Sequence, residues 1–323
     1  MDILKEIESQ ITQIKRDDNS AYLDQIFNHL DRAETYYKQG KEDQHYFNDV
    51  IYRSNQAYEG ALKEAYKILA SKTENELTKT TLFDIENHLA NNNIFKSRVL
   101  QLFEKYRKEW RNPATHDYNL IFDENEAFIA LTNVSSFVHL LLKQIQERIA
   151  FKIEQERLQQ DQETLDTIQR IVEIITEPLP EKVLKLLKDF SERNEPVLQD
   201  PMLLEIELLG MLHGFLSQAS EDLIIDREPK IEVDNELLRP DFILQYMSEY
   251  VILEVKRSVQ VTPIRTSRMK GYIDQMIRFL ISSNVSSGII FFLKTVDGAF
   301  AVNHEKHEFT VDGQNFNIYI VTT

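Results

Sequence analysis

Apolar positions recur at helical spacing through the first half of the chain and switch to alternation in the last third. Leu23, Ile26, Phe27 and Leu30 lie three or four apart, which predicts a helix over 21–39 that ends at Gly40. Tyr46, Val50, Ala57, Ala61, Ala65 and Leu69 share one face of a second helix over 43–70. A shorter helix is predicted over 83–89, and another over 94–110 through Val99, Leu102, Phe103 and Tyr106. Residues 125–175 read as one long helix or two. Their middle, 154–169, is strongly polar, as in helices that bridge domains or form coiled coils. Thr176-Glu177-Pro178-Leu179-Pro180 interrupts the pattern and places a linker there.

Beyond the break, 201–218 is one more amphipathic helix. Apolar and period-two runs then predict strands over 222–233, 239–245, 250–255 and 288–293, and a C-terminal pair around 300–302 and 316–321. A helix over 266–282 interrupts them. This order predicts an α/β domain with a mixed sheet rather than a Rossmann repeat. The expected fold is therefore an all-helical bundle over 1–150, a polar helical linker over 151–180 and an α/β domain over 181–323. A length of 323 residues suits two domains.

Composition sharpens this picture. Only 8 Gly and 8 Pro argue for long helices over a turn-rich β protein. The chain has no cysteine, which excludes disulfides and thiolate metal sites and fits a reducing compartment. Its first residues are charged, with no signal-peptide run, and no stretch is expected to reach the length of a membrane span. The expected location is the cytoplasm, with no membrane partner. The formal net charge of −16 opposes a protein that coats nucleic acid, since phosphate contacts rely on Lys and Arg. It leaves room for a local basic track. Lys256, Arg257, Arg265, Arg268, Lys270 and Arg278 cluster against the lone Asp274. An ordinary solvated helix face accounts for the same residues.

Candidate chemistry concentrates in Arg239-Pro240-Asp241-Phe242-Ile243-Leu244 and Val251-Ile252-Leu253-Glu254-Val255-Lys256. Each half reads as a strand, and Met247-Ser248-Glu249 as the turn between them. Residues two apart share a strand face, so Glu254 and Lys256 project together and Leu253 and Val255 oppose them. If the strands pair around that turn, Asp241 reaches the same place. Glu-x-Lys alone is common on surface hairpins. Strongly apolar flanks set this one apart, because unpaired charge in a buried strand is costly. Two carboxylates can hold Mg2+ or Mn2+, and a lysine can orient or deprotonate a water or stabilise a transition state.

Pro240-Asp241 followed by Glu254-Val255-Lys256 resembles the PD-(D/E)xK signature of restriction-endonuclease-like nucleases, over roughly residues 200–323. The resemblance implies a further carboxylate from the helix before the sheet: Glu205 or Glu207, with Glu205 preferred for its closeness to the side marked by Leu208, Leu212 and Leu216. It also implies a Gln-x-x-x-Tyr-like element on the next helix, where Gln275 would orient water or phosphate and Phe279 replaces the tyrosine. Asp241, Glu254 and Glu205 would be the metal ligands, and Arg257, Arg265, Arg268 and Lys270 the nucleic-acid contacts.

A second constellation, Trp110-Arg111-Asn112-Pro113-Ala114-Thr115-His116, follows the helix over 94–110. His116 can act as acid or base near neutral pH, and Arg111 can grip a phosphate with two hydrogen bonds. A helix-ending turn at Pro113 explains the same residues without chemistry. In its all-helical setting, over about residues 20–150, the Arg-Asn-x-x-x-His stretch resembles HEPN domains. Those are small bundles that often pair as dimers, and active members are metal-independent RNases. Asn112 would touch RNA, and Glu59 is similar to the acidic residue many members carry on an earlier helix. Together the two resemblances imply a Mg2+- or Mn2+-dependent nuclease cutting DNA, with RNA as an alternative substrate. A helical module would form a homodimer, and bacterial defence against phage or foreign DNA would be the setting. The alternative is a catalytically silent scaffold that binds nucleic acid or nucleotide and assembles with a partner effector.

Overall fold

The computed structural model describes all residues except 1, 18–21, 93, 112–120, 175, 234–235, 259–265, 295–299 and 312. The chain divides into two compact units, Met1–Ile149 and Ala150–Thr323.

The first unit is helical. Its elements are α1 (Ile3–Asp17), α2 (Leu23–Gln39), α3 (Tyr46–Ile68), α4 (Glu74–Lys79), α5 (Leu82–Asn91), α6 (Ser97–Tyr106) and most of α7 (Glu124–Gln159). A π-helical turn, Arg107–Arg111, extends α6. The core is aromatic at its centre. The Tyr58 ring lies 5.9 Å from Phe103, 5.0 Å from Tyr106 and 5.4 Å from Phe137, centroid to centroid. These distances suit the offset and tilted ring contacts that aromatic pairs prefer. Among the described residues α7 is the one helix long and apolar enough to cross a membrane, by length and composition alone. Half of its most apolar 18-residue stretch is buried, with Val134, Phe137, Val138 and Leu141 in the helical core.

The second unit is α+β. It takes in the end of α7, then α8 (Gln162–Glu173), α9 (Leu179–Arg193), the short α10 (Glu195–Leu198), α11 (Glu205–Leu216) and α12 (Thr266–Ser283). Its strands are β1 (Ile224–Arg227), β2 (Ile231–Val233), β3 (Glu236–Leu238), β4 (Phe242–Tyr246), β5 (Glu249–Ser258), β6 (Ser287–Lys294), β7 (Asn303–Val311) and β8 (Gln314–Thr322). Six strands form one mixed sheet in the order β1-β4-β5-β6-β8-β7, and β2 pairs with β3 apart from it. The first three strands of the sheet are antiparallel, while β5, β6 and β8 run parallel. The C-terminal strand expected around 300–302 lies later, as β7.

Alternation along β5 sorts its residues to two faces. Val251, Leu253 and Val255 join Val183, Leu187, Leu208 and Leu212 of α9 and α11 in one core. Ile252 joins Met276, Phe279 and Leu280 of α12 in the other. The sheet is thus covered on both faces.

The linker expected over 151–180 is not a linker. Leu158, Leu165, Ile168 and Val172 lie in the second unit's core. The polar residues between them cover the outer side of an amphipathic pair of helices. The prolines at 178 and 180 begin α9 rather than end structure. Proline is tolerated in a first helical turn, where its missing N–H has no intrahelical partner anyway.

Candidate active site

The β4–β5 hairpin turns at Met247-Ser248, and its register pairs Phe242 with Leu253. Continuing that register one step sets Asp241 opposite Glu254. Phe242 and Leu253 face the α9/α11 core, so Glu254 and Lys256 take the opposite parity, and Asp241, just before β4, meets Glu254 at the end of the hairpin.

The contacts are specific. The Asp241 N–H donates to Glu254 Oε2 at 3.0 Å, and the Val255 N–H donates to Asp241 Oδ2 at 2.8 Å. Lys256 Nζ donates to Glu254 Oε1 at 2.6 Å. All three side chains are largely shielded, with 18% of Asp241, 9% of Glu254 and 20% of Lys256 exposed. Burial raises the Asp241 carboxyl above its ordinary range. Burial, then the charge of Asp241, does the same to Glu254. Burial alone would pull Lys256 down, but Glu254 and Asp241 outweigh it and hold the ammonium above its usual value.

A close pair of buried carboxylates with raised proton affinity is the chemistry that a hard divalent cation relieves, and the donor set fits Mg2+ or Mn2+ in kind. Such ions are commonly held by one or two carboxylates plus water. Among the described residues no group of three or more His, Asp or Glu side chains is placed to hold a metal. Asp241 and Glu254 therefore stand together without Glu205 as a third ligand.

Glu205 is exposed at the first position of α11. Its carboxylate acts electrostatically on Lys256 and on Arg257. Glu207 has a different occupation: its Oε2 accepts the Leu204 N–H at 2.7 Å and so caps α11. Gln275 is exposed on α12, and among the described residues it makes no hydrogen bond to the cluster. The α12 residue beside the cluster is Tyr272, whose ring centroid lies 5.9 Å from Lys256 Nζ.

The expected basic track divides. Arg257 has the opposite parity from Lys256, and its NH2 donates to the Asp200 carbonyl at 2.9 Å. It therefore stands on the α11 side of the sheet, on the face opposite Lys256. Arg268 and Lys270 are exposed on α12. Arg265 lies outside the described residues.

Sequence reasoning missed Arg227. From β1 it donates to the Asp241 carbonyl at 2.6 Å and places NH1 3.9 Å from Asp241 Oδ1. Its guanidinium lies over the Phe242 ring at 4.5 Å. An isolated arginine on an edge strand carries no signal in the sequence. Only the register, Arg227 opposite Phe242, brings it here.

In the helical unit, Arg111 ends the π-helical turn with Nε 3.7 Å from the carboxylate of Glu86. Glu86 is buried on α5, and burial raises its carboxyl. Sequence reasoning passed over it. Glu59 pairs instead with Lys63 at 2.6 Å, four residues along α3. His116 and Asn112 lie outside the described residues.

No family model, curated protein or solved structure matches the chain. The α+β architecture and the side-chain geometry are the observations that bear on function.

Proposed function

We propose that the second unit is a metal-dependent phosphodiesterase of the PD-(D/E)xK type that cuts nucleic acid, with DNA as its substrate. One observation carries this reading: Asp241, Glu254 and Lys256 converge from adjacent strands in a shielded cluster. Buried charge is costly, and a site that gathers two acids and an amine bears that cost without adding stability.

In this reading Asp241 and Glu254 hold Mg2+ or Mn2+, which when bound lowers the pKa of a water and offsets charge on a phosphate. Lys256, bonded to Glu254 Oε1, is placed to orient a water or to donate hydrogen bonds to a phosphate oxygen. Arg227 holds the main chain at the start of β4 through the Asp241 carbonyl, while the Val255 N–H holds the Asp241 carboxylate. Glu205 adds negative charge that acts on Lys256.

The first unit is proposed as a HEPN-like module that forms a homodimer and cuts RNA without metal at Arg111 and His116. The Glu86–Arg111 pair supports a fixed guanidinium at that position. Defence against phage or foreign DNA is the setting this pairing of modules suggests.

A second reading draws on the missing third carboxylate at the cluster. It makes both units binding modules of a scaffold, with the chemistry supplied by a partner. Plasmid and RNA cleavage by the purified protein, with Mg2+ or with chelator, separates the two. The nuclease reading expects chelator-sensitive DNA cleavage that is lost in Asp241→Ala and Lys256→Ala. No cleavage of any substrate supports the scaffold.

A further inference from the structure

We infer that Tyr272 and Arg268 build a second phosphate subsite beside the cluster, for the nucleotide next to the one that is cut. The inference rests on the nuclease reading and adds a place where the strand is held.

Lys256 pairs with Phe292 across β5 and β6. The Tyr272 ring stands edge-to-face on Phe292, with centroids 5.3 Å apart. The α12 helix thereby lays an aromatic side chain across the strand end that carries Lys256. The ammonium lies 5.9 Å from the ring centroid, within cation–π reach.

The outer end of Tyr272 is occupied as well. Arg268, one helical turn earlier and exposed, donates Nε–H to the Tyr272 hydroxyl at 3.0 Å, and its Cζ lies 5.9 Å from the same ring. That bond fixes the guanidinium plane through its inner nitrogen. The two terminal nitrogens are the pair that grips a phosphate with parallel hydrogen bonds. Among the described residues no carboxylate makes an ion pair with Arg268. Two cations thus flank one aromatic ring. Lys256 is tied inward to the carboxylates and Arg268 points outward to solvent. Tyr272 is a positioning residue for both: its ring for Lys256, its hydroxyl for Arg268.

The test is oligonucleotide binding in chelator, followed by fluorescence anisotropy over a salt series, beside Mg2+-dependent cleavage by the same proteins. Arg268→Ala is expected to weaken binding about tenfold and to reduce the slope of log affinity against log salt by about one. Tyr272→Phe keeps the ring and loses the hydroxyl. It is expected to weaken binding and raise KM while kcat stays within about twofold, and to add nothing further in the Arg268→Ala background. Tyr272→Leu, which also removes the ring, is expected to lower kcat. Wild-type binding and salt slope in Arg268→Ala, or independent additive losses in the double variant, would overturn the subsite even if the protein cuts DNA. A protein that shows the expected binding losses yet never cuts in Mg2+ would keep the subsite and remove the nuclease reading.

Discussion

The main chain of Asp241 and the side chain of Glu254 are bonded to each other: the Asp241 N–H donates to Glu254 Oε2 at 3.0 Å. The reverse bond, from the Val255 N–H to Asp241 Oδ2 at 2.8 Å, closes the exchange. Each carboxylate is thus fixed by the strand that carries the other. Backbone donors hold both acids in one place at the expense of mutual repulsion, an arrangement suited to receiving a cation.

That repulsion has a measurable sign. Both carboxyls have raised pKa values, Asp241 through burial and Glu254 through burial and then Asp241. A native state that holds protons more tightly than the unfolded chain is favoured in acid. The favourable contribution is lost as pH rises through the raised values. In chelator, Asp241→Asn is expected to reduce this loss, because the amide oxygen still accepts the Val255 N–H while the charge is gone. Its melting temperature at pH 8 should exceed that of the wild type by about 2–4 °C, corresponding to about 1 kcal/mol. The gain should shrink toward pH 4. Thermal melts across pH check both signs.

Lys256→Met keeps the length of the stem and removes the ammonium. The account expects a fall in Mg2+-dependent kcat of about 10²–10⁴, the range for losing a positioned proton donor or charge at a transition state. Single-turnover DNA cleavage measures it. Retention of full activity would remove Lys256 from the chemistry.

Glu205 and Glu207 separate by experiment as they do in space. Glu207→Ala removes a cap of α11 and is expected to cost about 1 kcal/mol of stability, with kcat little changed. Glu205→Gln is expected to leave stability within about 0.5 kcal/mol, as for an exposed surface position, and to lower cleavage. Denaturant melts and cleavage rates on the two variants give four numbers. The reverse pattern would exchange the roles.

In the helical unit, Glu86→Ala leaves Arg111 beside a buried space that held its counter-charge. A loss on the order of 2 kcal/mol is expected, as for breaking one half of a largely buried pair. Chelator-resistant RNA cleavage, if Arg111 carries it, should fall in the same variant. Circular-dichroism melts and an RNA assay in chelator report the two effects separately.

Local signals made part of this legible in advance. The β4–β5 hairpin, a turn expected at Met247-Ser248-Glu249 (of which Glu249 begins β5) and the shared parity of Glu254 and Lys256 all follow from local pattern, which needs no tertiary information. The α12 helix and the helical character of the first unit followed from spacing in the same way. What failed depended on partners distant in sequence. The stretch over 151–180 looked like a linker because its polar residues outnumber its apolar ones. Yet Leu158, Leu165, Ile168 and Val172 suffice to bury one side once a sheet is present to receive it. Arg257 looked like a nucleic-acid contact because it belongs to the basic cluster from Lys256 to Arg278, but adjacency to Lys256 on a strand means the opposite face. Its partner, the Asp200 carbonyl, is 57 residues away. Arg227, Tyr272 and Glu86 gave no local pattern at all; register and helix packing alone bring them to their sites.

The central claim is that Asp241 and Glu254 share one divalent ion, and the most direct test is a crystal of the protein soaked in Mn2+ and measured at a wavelength where manganese scatters anomalously. The account predicts a single strong anomalous peak within coordinating distance of a carboxylate oxygen from each residue, absent from crystals of Asp241→Asn. A well-diffracting, Mn2+-soaked crystal with no peak between the two carboxylates, or with its manganese held elsewhere, would contradict it.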